Sequence, residues 1–168
     1  MRLSFYICDK CYMDYLRTHD HRVPQVDKSG QTYDRPLVGI VLEIEGNKFY
    51  APLSSPKPKH FTMKNSKDFI KIDGGKYGVI NLNNMVPIQD GYAMKLDITS
   101  YPRVNKQDLD YVNLLTNQLS WCNSNKNNIL KKARGLFDSI KNGKANENLR
   151  LRCCDFVMLI EKSKEYRQ

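Results

Sequence analysis

Apolar residues come in short runs over roughly the first hundred positions and then change to a helical period. LSFYIC (3–8) reads as a strand, and Asp9 can cap a helix on which Tyr12, Met13 and Leu16 share a face. PLVGIVLEI (36–44) has the run of a buried strand, Gly46-Asn47 a tight turn, and KFYAPL (48–53) the returning strand. FIKI (69–72), Gly74-Gly75 and YGVINL (77–82) predict a second hairpin, and AMKLDI (93–98) a fifth strand. After Pro102, Asn105 and Asp108 form a capping pair ahead of the stripe Leu109, Val112, Leu115 and Leu119. A second helix carries Ile129, Ala133, Phe137 and Ile140, widened by Leu130 and Leu136, and stops at Asn142-Gly143. A third spans 147–163, with Leu149, Cys153, Phe156, Val157 and Ile160 inward. The expected fold is α+β, one domain over 1–168: mainly strands in 1–104, mainly helices in 105–168, the helices on one side of a small twisted antiparallel sheet or open barrel.

Charge narrows the partners. Lys and Arg number 27 against 18 Asp and Glu, a formal +9. Residues 57–76 hold six lysines and two acids, and 126–144 six basic residues and one acid. Lys59, His60, Lys64, Lys67, Lys131 and Arg134 in these stretches are candidate contacts to a polyanion, since neutralised phosphates release counterions and give sequence-independent affinity. No apolar run approaches a membrane span, and the opening MRLSFYICDK lacks the apolar core of a signal peptide, so the expected location is cytoplasmic. Five cysteines, two of them adjacent, make a poor disulfide framework. Cys8-x-x-Cys11 lacks a second ligand pair, so no metal site is expected.

Several enzyme classes lose support at once. There is no phosphate-binding glycine loop, H-E-x-x-H, D-x-D cluster or nucleophile elbow. What stands out is APLSSPKPKH (51–60), with hydroxyls at Ser54 and Ser55, cations at Lys57 and Lys59, His60, and no acid. Such groups suit a phosphodiester: cations stabilise charge growing on phosphoryl oxygens, hydroxyls donate to them, and tyrosines stack a base or move a proton. If the substrate is RNA, its own 2′-hydroxyl attacks phosphorus, and neither a cofactor nor a protein nucleophile is needed. The long polar connection 18–35 ends in Thr32, Tyr33 and Arg35 just before a buried strand, which marks it as functional. The residues alone leave two readings open, an RNA-cleaving enzyme and a non-catalytic RNA-binding module.

FYICDKCYMDYL (5–16), RVP (22–24), TYDRP (32–36), VGIVLEI (38–44) and KFYAPLSSPKPKH (48–60) together resemble the ToxN/AbiQ family of type III toxin–antitoxin systems, with GVINLNNMVPI (78–88) a looser match. The resemblance implies a sheet similar to the Kid/MazF toxin core with helices packed around it. It implies a metal-independent endoribonuclease leaving a 2′,3′-cyclic phosphate and a 5′-hydroxyl, often in A-rich sequence. It further implies a pseudoknot antitoxin RNA, processed by the toxin and alternating with it around a closed assembly, and cellular or phage mRNA, not DNA, as substrate. Residue by residue, it puts Tyr12 and Tyr33 in RNA positioning, Ser54 and Ser55 at the hydroxyl pair, and Lys57 at the basic position after it. Some relatives carry a lysine where this chain has Leu37, which leaves Arg35 as the nearest cation for charge stabilisation and His60 as a reserve acid or base.

Overall fold

The computed structural model describes residues 2–26 and 37–167. Its centre is an antiparallel sheet of β1 (Phe5–Cys8), β2 (Gly39–Ile44), β3 (Asn47–Ser54), β4 (Phe69–Lys71), β5 (Val79–Asn81), β6 (Val86–Pro87) and β7 (Ala93–Lys95). They pair in the order β4-β5-β3-β2-β1-β7, and β6 adds to β3. The β2–β3 hairpin runs in unbroken register from Gly39 opposite Pro52 to Ile44 opposite Asn47. Its turn is Glu45-Gly46, both at positive φ, one position earlier than the sequence suggests. The expected 69–82 hairpin forms as two short strands separated by a 3₁₀ turn at Ile72–Gly75, and β7 stops at Lys95 before a 3₁₀ turn at Ile98–Ser100.

Helix α1 (Lys10–His19) starts where Asp9 accepts the Tyr12 N–H at 2.8 Å. A four-residue helix α2 (Lys59–Thr62) interrupts the basic loop. Then come α3 (Lys106–Ser124), α4 (Lys126–Lys141), α5 (Glu147–Arg152) and α6 (Phe156–Glu165). The Asn105–Asp108 capping box is present in both directions. None of the described helices is long and apolar enough to cross a membrane.

Three helix expectations need correction. First, the helices cover both faces of the sheet. Phe49 to Leu53 of β3 are all buried, and because side chains alternate, such a run requires cover on each side. Phe49 meets Phe137 of α4 and Phe156 of α6, with ring centroids 5.6 and 6.0 Å away. Tyr50, pointing the other way, lies near Cys8 of β1 and Tyr111 of α3. Second, the buried stripe of α3 runs through Tyr111, Val112, Leu115, Gln118 and Cys122. Leu109 sits two positions, about 200°, from Tyr111 and is exposed. Third, the expected helix over 147–163 is broken at Cys153–Asp155, because Asp155 caps a new helix by accepting the Met158 N–H at 3.1 Å. The freed backbone N–H groups are used across the fold: Cys154 donates to the Asn83 carbonyl at 2.9 Å and Asp155 to Oδ2 of buried Asp20 at 2.8 Å. With the helix reset, Val157 turns outward.

Candidate active site

The site begins where β3 ends. Ser54 lies opposite Val79 of β5, so Asn81, two residues further along β5, is its diagonal neighbour on the same face. Asn81 Nδ2 donates to Ser54 Oγ at 2.7 Å. A hydroxyl has one proton and two lone pairs, so accepting this bond holds the Ser54 oxygen in place with one lone pair and leaves the proton free for another acceptor. Ser54 is half-buried and lines a cleft of ≈ 530 Å³ that it shares with Lys57, Lys59, His60, Asn81 and Arg152. Ser55 is exposed and outside the cleft lining.

After Pro56 the chain turns into α2 and closes on itself. The Lys57 N–H donates to Nδ1 of His60 at 3.1 Å, and His60 is buried. With Nδ1 accepting, the neutral ring carries its proton on Nε2. It therefore braces the turn that carries Lys57 and has no free lone pair with which to take a proton. That reassigns the residue held in reserve as an acid or base. Burial, then the charges of Lys59, Lys57 and Lys71, hold the His60 pKa below its usual value. A histidine whose pKa falls on folding binds more protons unfolded, so stability is full above about pH 6.5 and declines as pH drops towards the folded pKa. We expect the ring resonances of His60 to titrate below the usual histidine value in an NMR titration. The melting temperature should fall as pH goes from 7 to 5, and less so in His60→Asn. Titration of His60 at the usual histidine value would remove the brace.

The rest of the cleft comes from residues the sequence did not single out. Asp68 is buried and receives Nε of Arg152 at 3.0 Å and Nη2 at 3.2 Å, with Ser66 Oγ as a further donor. Burial alone would raise its pKa, but these bonds from Arg152 and Ser66 outweigh it and hold the carboxyl low. Behind the lining residue Phe69, and itself outside the lining, Lys132 of α4 donates to the Phe69 carbonyl at 2.8 Å, and burial lowers its pKa. The carboxylate in the cleft lining is thus already bound, and the lining lysines, Lys57 and Lys59, are exposed.

The other sequence candidates divide. Tyr33 and Arg35 lie outside the described residues. Tyr12 is fully buried, with its hydroxyl within 2.7 Å of both the Pro87 carbonyl and Ser163 Oγ, and its ring stacked on Tyr92 at 4.9 Å. Both its face and its hydroxyl are occupied, so it belongs to the packing between α1, α6 and the sheet and is not placed to stack a base. Lys64 and Lys67 are exposed between α2 and β4, and Lys131 and Arg134 are exposed on α4, all outside the cleft lining. Cys8 is buried and Cys11 exposed, and no group of three potential metal ligands occurs among the described residues.

Comparison with known proteins gives matches along nearly the whole chain. The family described as Toxin ToxN, type III toxin–antitoxin system, matches residues 4–164. Endoribonuclease ToxN of Pectobacterium atrosepticum is 32% identical over 172 residues, covering 98% of this chain and 94% of the relative. A solved chain from a bacterial antiviral system regulated by a processed non-coding RNA superposes with TM-score 0.80 at 31% identity, over 100% of both chains. Another, from a type III system whose toxin is selectively inhibited by a non-coding RNA pseudoknot, gives TM-score 0.77 at 28% identity, over 99% of this chain and 98% of the other.

Proposed function

Because this chain belongs to the ToxN family of type III toxin–antitoxin toxins, we propose that it is an endoribonuclease restrained by a non-coding RNA and that it cuts RNA without metal. The 2′-oxygen of the substrate attacks the adjacent phosphorus, the new O2′–P bond forms as the P–O5′ bond breaks, and the proton lost from the 2′-hydroxyl is balanced by one gained at the 5′-oxygen. The ends are a 2′,3′-cyclic phosphate and a 5′-hydroxyl. Ser54 donates to a phosphoryl oxygen, and Lys57 and Lys59 meet the charge that grows there. Arg35 adds to that charge and Tyr33 positions the RNA, from the connection that precedes β2. A repeated pseudoknot antitoxin occupies the same basic surface, is itself cut from its transcript, and alternates with the toxin in a closed assembly.

One observation carries this reading: a serine hydroxyl fixed by Asn81 faces a cleft whose free charges are lysines. A two-metal phosphodiesterase would need free carboxylates there, and Asp68 is committed to Arg152. The test uses protein stripped of co-purifying RNA, incubated in excess EDTA with an A-rich RNA and its DNA counterpart. The expected result is discrete RNA fragments with cyclic-phosphate ends and intact DNA. RNA that is bound but uncut would favour the binding module, and a requirement for added metal would refute the mechanism.

A further inference from the structure

Resting on the nuclease reading above, we infer that Arg152 is an RNA-binding residue: held by Asp68, its guanidinium grips the phosphate of a linkage next to the scissile one. The pair is asymmetric. The Asp68 side chain is 6% exposed and that of Arg152 49% exposed, with Arg152 in the lining of the same cleft as Ser54 and Lys57. Asp68 engages Nε and one hydrogen on Nη2, and a guanidinium has five N–H donors, so three are left for a ligand. The anchor is fixed at both ends. Ser66 donates to Asp68, while Asn83 Nδ2 donates to the Arg152 carbonyl at 3.3 Å, and the following helix break ties Cys154 back to Asn83. A guanidinium prepared in this way loses little freedom on binding an anion.

The chemistry also says which phosphate. Asp68 cancels the charge of Arg152, so the pair offers oriented donors more than net positive potential. On a linkage whose charge does not change during the reaction, such donors bind ground and transition state alike, which lowers KM without raising kcat. Lys57 and Lys59 have no such partner in the cleft lining and are the groups suited to charge that grows in the transition state. Lysine could not replace Arg152, since a single ammonium cannot span both Asp68 oxygens and still present a fork to phosphate.

The experiment is a cycle between protein and substrate. A short cleavable RNA is made with each linkage around the cut site replaced, one at a time, by a neutral methylphosphonate, and is assayed with wild type, Arg152→Ala and Arg152→Lys. In wild type, one flanking replacement should raise KM about tenfold with kcat within about twofold. Both variants should show that higher KM on unmodified RNA, and the same replacement should then add nothing. Replacements that cost the same in wild type and variants at every position would overturn the assignment and leave Arg152 as a brace. If Arg152→Ala fails to fold by circular dichroism, Arg152→Lys, which keeps a charge beside Asp68, decides alone. A wild type that binds but cuts no RNA would refute the nuclease reading, and the same cycle read as equilibrium Kd would still decide whether Arg152 holds a phosphate.

Discussion

Ser54→Ala is expected to slow RNA cleavage by about two to three orders of magnitude, the cost of removing one donor aimed at developing charge. Affinity for RNA should stay within a few-fold, because lysine–phosphate contacts carry it. The two hydroxyls of the Ser-Ser pair should separate in this experiment. Ser54 faces the cleft under the hold of Asn81, whereas Ser55 is exposed and outside the lining, so Ser55→Ala should cost far less. Asn81→Ala should fall between them, since it frees the Ser54 oxygen but keeps the hydroxyl. Single-turnover rates with Kd from filter binding would measure both quantities, and growth arrest on expression would report the rate in cells. Affinity lost while growth arrest persists would contradict the role given to Ser54.

The second large effect lies behind the site. Gly78 has φ +90° and packs so closely on the end of β3 that a Cβ there would overlap the Ser54 carbonyl oxygen and reach the Ser55 carbonyl carbon at 3.0 Å. Backbone cannot swing aside as a side chain can, so Gly78→Ala must distort the β3–β5 pairing that aligns Leu53 with Ile80 and Ser54 with Val79. Backbone strain and steric overlap together should cost about 3–5 kcal/mol, a large part of the stability of a domain this size. Gly74→Ala is the control: also at positive φ, but with nothing within 4 Å of the added carbon, it should cost about 1–2 kcal/mol. Urea titrations of both variants would test this. A Gly78→Ala protein as stable and active as wild type would mean that the close approach does not exist in solution.

Local signals reached the hairpin and the caps but not the cleft. The β2–β3 hairpin was legible because a long apolar run, a glycine turn and a second run are neighbours in sequence, and the Asn105–Asp108 box because it needs only four residues. The break at Cys153–Asp155 was hidden because Leu149, Cys153, Phe156 and Ile160 fit a helical period straight through it. The one sign was Asp155 ahead of an apolar run, where it serves as a cap. The SSPKPKH stretch announced itself by composition, but Asn81 is 27 positions from its partner Ser54, and Arg152 is 84 from Asp68. Neither pairing leaves a trace in spacing. Tyr12 was misplaced for the opposite reason: its motif is recognisable, while the partners that bury it come from the middle of the chain (Tyr92) and from its last helix and the residue after it (Ser163 and Tyr166).

The reset between α5 and α6 has a consequence for the order in which the protein is made. Residues 83, 152 and 154 are stitched together there, and Arg152 completes the cleft only when that segment docks on the sheet. During synthesis the β2–β3 hairpin and the Ser54 loop emerge long before it, and contacts so distant along the chain form late. The proposed active site is therefore unfinished while most of the chain is still being translated. On the proposed function, RNA would meet the full grip of the cleft only after that segment has docked, and a chain not yet docked there would hold substrate more weakly at a similar kcat.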